Sequence, residues 1–530
     1  MSDILYRSAF ALAKDIKRGV LTSSGVLEFF LDRVDRFNPE INAVVQLDAD
    51  RARERAAAAD RAARRGEDLG PLHGVPLTIK DAYLTEGIVS ANGMPEYRDN
   101  VPTRNSDAVQ RYVDAGAIVF GKTNTPYASG DWQSFNSVYG TTGNPWDSAR
   151  TCGGSSGGAG AALAAGMTPL ELGGDIGGSI RIPAHFNGVF GHKPSHGIVS
   201  QRNVVDWQEQ LGEQDLWVVG PMGITARDVR DALRLLVGAT AEKAVAWRVE
   251  LPAARTTDVS KLRVATCFER PDYPVDAEVL ALLQGVARTL AECGARVDHD
   301  TVPGIDFDEN FSLYLQLMYS HMGEDTPEKI RQGMAAMLRP LARGEEIVAA
   351  MGSSLTRWLA VHERRLQLQR KWVEFFEDYD VLLAPVLPLP AFVHDQRPMG
   401  KRTWAINGIE RIMMFDVLFL GRLLAGHLPA RHGGPGGPHP CQPPRRDPDR
   451  RPVPGRRDAP RGGGDARGAP RPVRAAARLR VTAGSATREA VRCAPPAGRG
   501  VREPCRWRAT WTRASAPPWT PRTSRRNLSR

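Results

Sequence analysis

Two glycine- and serine-rich stretches carry the residues of this chain best suited to covalent chemistry. The first is Thr151-Cys-Gly-Gly-Ser-Ser-Gly-Gly158 and the second is Gly173-Gly-Asp-Ile-Gly-Gly-Ser-Ile-Arg181. Glycines at this density let the backbone take positive φ and approach another group closely. A flexible linker has a similar composition. The first stretch, however, lies between Asn144-Pro145-Trp146 and the Ala-rich helical run 159–165, where no domain boundary is expected. Upstream, the strand-like Gly74-Val-Pro-Leu-Thr-Ile79 delivers Lys80 and Asp81 at its end. Two tight turns that each present a serine, with a lysine brought by a strand, are the parts of an activated-nucleophile site.

Other motifs point elsewhere and fail on physical grounds. Gly116-Ala-Ile-Val-Phe-Gly121-Lys122-Thr123 satisfies the P-loop pattern. That motif needs a flexible loop whose N–H groups wrap phosphates, followed at once by a helix. Here Ala117, Ile118, Val119 and Phe120 belong in a strand, and Pro126 disfavours helical geometry at Thr125. A buried strand ending in a turn is expected, and nucleotide binding is rejected. His192 and His196 flank Pro194 without an accompanying HExxH, and His73 has no partner at ligand spacing. All three are read as hydrogen-bonded or exposed histidines, with no metal and no cofactor expected. None of the six cysteines forms a CxxC, so neither a disulfide framework nor a zinc ribbon is supported.

Taken together, Gly74-Val-Pro-Leu-Thr-Ile-Lys80-Asp81, Gly153-Gly-Ser155-Ser-Gly-Gly158 and Asp175-Ile-Gly-Gly-Ser179-Ile-Arg181 resemble the amidase signature family. Gly121-Lys-Thr-Asn124, Asn144-Pro-Trp146 and Gly188-Val-Phe-Gly-His-Lys-Pro194 add supporting matches, and the similarity runs from about residue 5 to about Pro429. The resemblance implies an α/β fold with a large mixed β-sheet covered by helices on both faces. It assigns Ser179 as acyl nucleophile, Ser155 as bridging serine after a cis Gly154–Ser155 bond, and Lys80 as general base. The N–H groups of Ile176, Gly177, Gly178 and Ser179 would form the oxyanion hole, and Ser129 would border the acyl pocket. Asp175 and Arg181 are expected to brace the turn in a structural role.

The implied reaction is hydrolysis of the linear carbon–nitrogen bond of a small-molecule amide, releasing a carboxylate and ammonia or an amine through an acyl-serine. Such a base must be neutral to accept a proton, and desolvation favours the neutral amine. Family members cleave fatty, aryl, aliphatic and cyclic amides, so the resemblance leaves the substrate open. A glutaminase-like subunit of a tRNA-dependent amidotransferase is the alternative, and a homodimer is compatible with either. Trp132, Phe135, Trp207, Tyr314 and Tyr319 are available to line a pocket, but at these spacings they are equally ordinary core.

The elements that must position these residues alternate between helix and strand. Leu5, Ala9, Leu12, Ala13 and Ile16 recur at helical spacing over 4–20. Thr22 or Ser23 is placed to cap a second helix, with Val26, Leu27, Phe30, Leu31 and Val34 inward and Pro39 at its close. A short strand at 41–45 and an exposed Ala- and Arg-rich helix over 48–65 follow. Residues 107–115 and 277–293 read as helices, and 117–120, 262–267 and 381–383 as strands. This alternation argues for a layered α/β fold.

Charge divides the 530-residue chain in two. Residues 431–530 hold 24 Arg, no Lys and 6 acids, a net of +18, whereas the preceding 430 hold 46 bases and 54 acids, a net of −8. The body therefore gives no electrostatic case for nucleic acid. The first residues carry Asp3, Arg7, Lys14 and Asp15 where a secretory leader needs an apolar stretch. The longest apolar region, 412–428, is broken by Asp416 and Arg422 and makes a poor membrane span. A cytoplasmic protein with no membrane partner is expected.

The tail has no Ile, Phe, Tyr, Met or Lys, yet it holds 17 of the 39 prolines. It cannot bury enough apolar surface to offset its ordering entropy. Its composition is that of a GC-rich gene read out of frame, and a one-base shift over 431–456 permits a strand-like LPVGIQIVG. The organisation expected is an amidase signature domain over 1–430, lacking the C-terminal part of its fold, and a frameshifted, disordered Arg/Pro-rich tail over 431–530. A chain ending this way is expected to be poorly soluble or inactive. Nucleic-acid binding through the arginines is the reading from another class.

Overall fold

The computed structural model describes residues 4–205, 211–271, 273–322, 328–339, 343–412, 431–435 and 478–483. The chain opens with helix Ala9–Lys17, followed by helix Ser23–Ile41, where Thr22 Oγ1 accepts from Gly25 N at 3.0 Å. The second helix runs two residues past Pro39 and ends at Asn42 in the left-handed region, φ 54°. Asn38 makes that exit: its carbonyl accepts from Asn42 N at 2.6 Å, and its side chain accepts from Ala43 N and Val44 N, both at 2.8 Å. Helix Ala49–Arg64 is not the exposed element its composition suggests. Ala52, Ala56 and Ala59 are buried, and the buried Asp60 takes the amides of Ser23 and Ser24 at 2.6 and 3.1 Å. Small side chains allow the close packing that bulkier apolar residues provide elsewhere.

Three strands form a first sheet: β1 (Val44–Leu47), β2 (Pro76–Lys80) and β3 (Ile118–Thr123). β3 lies in the middle, antiparallel to β1 and parallel to β2. The P-loop-like stretch is therefore strand, with Lys122 buried. The second sheet is built from β4 (Leu170–Asp175), β5 (Phe190–Lys193), β6 (Val218–Gly223), β7 (Arg263–Thr266), β8 (Arg296–Asp298), β9 (Val381–Pro385), β10 (Arg431–Pro435) and β11 (Arg478–Ala483). Its order is β8-β7-β9-β11-β10-β5-β6-β4. β7 pairs in parallel with β8 and β9, and the other pairings are antiparallel, which makes the sheet mixed.

Both faces are covered, as side-chain alternation along a strand requires. Val381 and Leu383 join a core with Val279, Leu283 and Ala287 of helix Ala277–Glu292. Leu382 and Ala384 join another with Phe311 and Leu315 of helix Phe307–Met322 and with Trp372 and Phe376 of helix Leu355–Asp378. At the other end of the sheet, Leu170, Leu172 and Val219 pack with Val26, Leu27 and Phe30, while Met222 packs with Ala159 and Leu163 of helix Gly157–Ala164.

The expectation that the tail supplies no strand is corrected by β10 and β11, which lie between β9 and β5. A ladder is made by backbone groups, and in sequence Leu479 and Val481 alternate with Arg478, Arg480 and Thr482 at the period of a strand. The rest of the tail, the apolar stretch beyond Ile412, and Trp207 lie outside the described residues. One compact unit spans Met1–Thr487; the other, Arg488–Arg530, also lies outside the described residues. No helix among the described residues is long and apolar enough to cross a membrane.

Candidate active site

β2 carries Lys80 to its C-terminal end, where the residue is 2% exposed. Its Nζ donates to Ser155 Oγ at 2.7 Å. Ser155 follows a cis Gly154–Ser155 peptide and is itself buried. Ser179 closes the second glycine turn at the end of β4 and is 6% exposed. The two turns are stitched together by Ser156, whose N–H donates to the Ser179 carbonyl at 3.0 Å. Its Oγ also accepts from Gly174 N at 3.4 Å. Sequence reading passes over Ser156, although it lies inside the same Gly/Ser run.

Glycine is required at Gly154 for space. A Cβ there would collide with the Asp131 carbonyl and stand 2.7 Å from Gln133 N and 2.8 Å from the Trp132 carbonyl carbon. Gly178 is required for conformation, with φ +110°.

The second turn is organised by Asp175. Its carboxylate accepts from Gly178 N at 2.9 Å, Ile180 N at 3.1 Å and Arg181 N at 3.3 Å. The Arg181 fork adds bonds at 2.7 Å from Nε and 2.6 Å from Nη2. Burial pushes the Asp175 carboxyl up, but the Arg181 charge and hydrogen bonds, with Lys193 and the Gly178 amide, outweigh it and hold the group well below the usual carboxylate range. Of the four N–H groups expected to face an oxyanion, that of Gly178 is thus taken by Asp175. Those of Ile176, Gly177 and Ser179 donate to no protein acceptor among the described residues.

A second buried charge cluster lies beside Lys80. Lys122 Nζ donates to the Tyr83 carbonyl, to Thr85 Oγ1 at 2.9 Å and to Ser90 Oγ at 3.1 Å. Asp81 accepts from Ala91 N and Gly93 N. Burial raises Asp81 and lowers Lys122, and each charge partly offsets the shift of the other. Glu171 on β4 is pushed up to about 7 by burial, against hydrogen bonds from Thr78 and the Leu172 amide. Thr78 Oγ1 donates to Glu171 at 2.5 Å, which ties the first sheet to the second.

Ser129 is half-buried, and its Oγ donates to Asn92 Oδ1 at 2.9 Å and stands 3.3 Å from Thr125 Oγ1. Asn92 N in turn donates to the Asp81 carbonyl at 3.3 Å, so Ser129 is linked to the residue after Lys80. Trp132 Nε1 donates to the Gly177 carbonyl at 3.1 Å, and the Tyr314 hydroxyl stands 3.1 Å from where a Cβ on Gly177 would be. Phe135 lies under the Arg402 guanidinium at 5.8 Å, and Tyr319 is buried in the helical core. His73 and His196 hydrogen-bond to the Ala59 and Gln214 carbonyls at 3.1 and 3.0 Å. No group of three or more His, Cys, Asp or Glu among the described residues is placed to hold a metal ion.

A family model described as Amidase matches residues 25–413. The chain is 36% identical over 428 residues to an indoleacetamide hydrolase of Bradyrhizobium diazoefficiens, covering 78% of this chain and 79% of that protein. It is 30% identical over 428 residues to a glutamyl-tRNA(Gln) amidotransferase subunit of Acidothermus cellulolyticus, covering 76% of this chain and 83% of that protein. Among solved structures, a bacterial aryl acylamidase described as an amidase signature enzyme superposes with a TM-score of 0.67 at 25% identity, covering 82% of this chain and 90% of that one.

Proposed function

This chain belongs to the amidase family, whose members hydrolyse amide carbon–nitrogen bonds, and from that premise we propose a Ser179–Ser155–Lys80 acyl-transfer mechanism. The observation that carries it is the 2.7 Å approach of Lys80 Nζ to Ser155 Oγ, in a turn stitched to Ser179 through Ser156. The step requires Lys80 as the neutral amine. Ser179 Oγ attacks the amide carbonyl carbon while its proton passes to Ser155 Oγ, and the Ser155 proton passes to Lys80 Nζ. The oxyanion is received by the N–H groups of Ile176, Gly177 and Ser179; removal of one such donor typically costs about 10²–10³ in rate. The proton returns through Ser155 to the leaving nitrogen, the carbon–nitrogen bond breaks, and acyl-Ser179 remains. Water then attacks the ester by the same relay, releasing the carboxylate and restoring Ser179. Asp175 and Arg181 act structurally in this scheme, and Ser129 borders the acyl pocket.

Because β10 and β11 fill the place in the sheet whose absence led to the expectation of an inactive chain, a fluorophosphonate probe tests the scheme on the full chain. Wild type should label covalently and Ser179→Ala should not; labelling that persists unchanged in Ser179→Ala rules the nucleophile out. A panel of indole-3-acetamide, 2-phenylacetamide, an aliphatic amide and glutamine then reads the acyl preference. Similarity to the amidotransferase protein supports a second reading, a glutaminase-like subunit, which predicts glutamine hydrolysis only in the presence of partner subunits. We also propose that the tail from Arg431 is an out-of-frame reading, supported by its 24 Arg, absence of Lys and 17 Pro. Resequencing across the codons for 428–457 separates its two origins: an added or missing base makes the tail a reading error, whereas a confirmed sequence makes it the off-frame tail of a truncated allele.

A further inference from the structure

One short segment, Asp131 to Ser134, touches both serine turns. Its backbone forms the wall against which Gly154 packs. Ser134 Oγ donates to the Gly153 carbonyl at 3.1 Å and accepts from Gly157 N at 3.1 Å, on either side of the cis bond. From the same segment, Trp132 Nε1 reaches the Gly177 carbonyl. The peptide unit between Gly177 and Gly178 is thereby held at both ends, its carbonyl by Trp132 and its N–H by Asp175. Two glycines have little steric preference of their own. The orientation of that one peptide sets where the neighbouring N–H groups of Gly177 and Ser179 project.

The segment is anchored from far along the chain. Arg402 grips Asp131 through Nη1 and Nη2, both at 2.7 Å, and its side chain is 2% exposed. Gln133 exchanges two hydrogen bonds with the backbone of Asp395, at 2.6 and 3.0 Å. The ring of Trp132 leans on Trp404, with centroids 6.1 Å apart, in the hairpin formed by Thr403–Ile406 and Ile409–Ile412.

We propose that Trp132 is a positioning residue for the oxyanion turn, held in register by the Arg402–Asp131 ion pair. It rests on the reading of Ser179 as nucleophile. Trp132 does not transfer a proton; it fixes the donors that meet the developing charge. Loss of one fixing hydrogen bond should slow a reaction that uses those donors about tenfold.

The test compares full-length wild type, Trp132→Phe, Arg402→Lys, the double variant and Ser179→Ala. The readouts are the second-order rate of fluorophosphonate labelling, whose phosphoryl oxygen uses the same donors, and hydrogen exchange across 170–180. Trp132→Phe should label about tenfold more slowly, with a thermal midpoint close to wild type and faster exchange at Gly178. Arg402→Lys should slow labelling several-fold. The double variant should be no slower than Trp132→Phe alone, because both act through the Gly177 carbonyl. A folded Trp132→Phe that labels within twofold of wild type overturns the proposal, and so do fully multiplicative losses in the double variant. Should Trp132→Phe fail to fold, a wild-type labelling rate in Arg402→Lys overturns it instead. If Ser179→Ala labels like wild type, the nucleophile reading fails, and the positioning claim then stands or falls on whether exchange at Gly178 rises in Trp132→Phe.

Discussion

Replacing Asp175 with Asn keeps the shape of the side chain and removes the charge that organises the turn carrying Ser179. The carboxylate is fully buried and accepts five hydrogen bonds, two of them from the guanidinium of Arg181, whose side chain is 7% exposed. An Asn at this position leaves the guanidinium buried without a counter-charge and turns an NH₂ group toward other donors. Breaking a buried pair from one side typically costs about 3–5 kcal/mol, so Asp175→Asn should lose stability in that range at neutral pH. The assay is the urea midpoint and slope of full-length protein, with fluorophosphonate labelling alongside; labelling should fall sharply as the turn relaxes.

The pH dependence has a fixed sign. The folded carboxyl lies below its unfolded value of 3.8, so its contribution is complete above that value and is lost as pH falls toward the folded one. The gap between wild type and Asp175→Asn should therefore narrow below about pH 4. Removing the stranded charge as well, in Asp175→Asn with Arg181→Met, should cost less than the two single losses added together. A single-variant loss under about 1 kcal/mol, the size of an ordinary hydrogen bond, refutes the account of a charge-braced turn.

Two further outcomes follow from the same geometry. Glu171 prefers its protonated form, so its contribution is present below its ordinary value of 4.5 and is lost as pH rises through about 7. Glu171→Gln should gain on wild type by up to roughly 3 kcal/mol between pH 5 and 8, read from urea midpoints; parallel pH profiles would contradict the burial argument. Gly154→Ala pushes a methyl into the backbone of residues 131–133 and should abolish labelling while lowering the thermal midpoint. Wild-type labelling in that variant would show that the turn has room the structure denies.

Much of the fold is legible in the sequence because its signals are local. The apolar runs around Leu77–Ile79 and Ile118–Phe120 read as buried strands and are strands. Thr22 or Ser23 reads as a cap, and Thr22 is the one that caps. The helix over 49–64 misleads when burial is judged by bulk, because Ala52, Ala56 and Ala59 are buried by being small. The tail misleads in the opposite way. Composition averaged over a hundred residues hides six, Arg478–Ala483, whose alternation suits a strand.

The site divides along the same line between local and distant. Covalent chemistry restricts residue type, so a lysine at a strand end and serines among glycines stand out from sequence alone. The groups that hold them are generic, and chain closure alone selects them. Trp132 is 45 residues from Gly177 and Asp131 is 271 from Arg402, and no spacing rule links a tryptophan to a carbonyl or an aspartate to an arginine over such separations. Asp81 shows both cases in one residue: its place after Lys80 is visible in the sequence, while its grip on the amides of Ala91 and Gly93 is not. Reading chemistry from sequence therefore finds the atoms that react sooner than the atoms that aim them. In this chain the aiming runs from a hairpin near residue 404, through the segment 131–134, to a single peptide between two glycines.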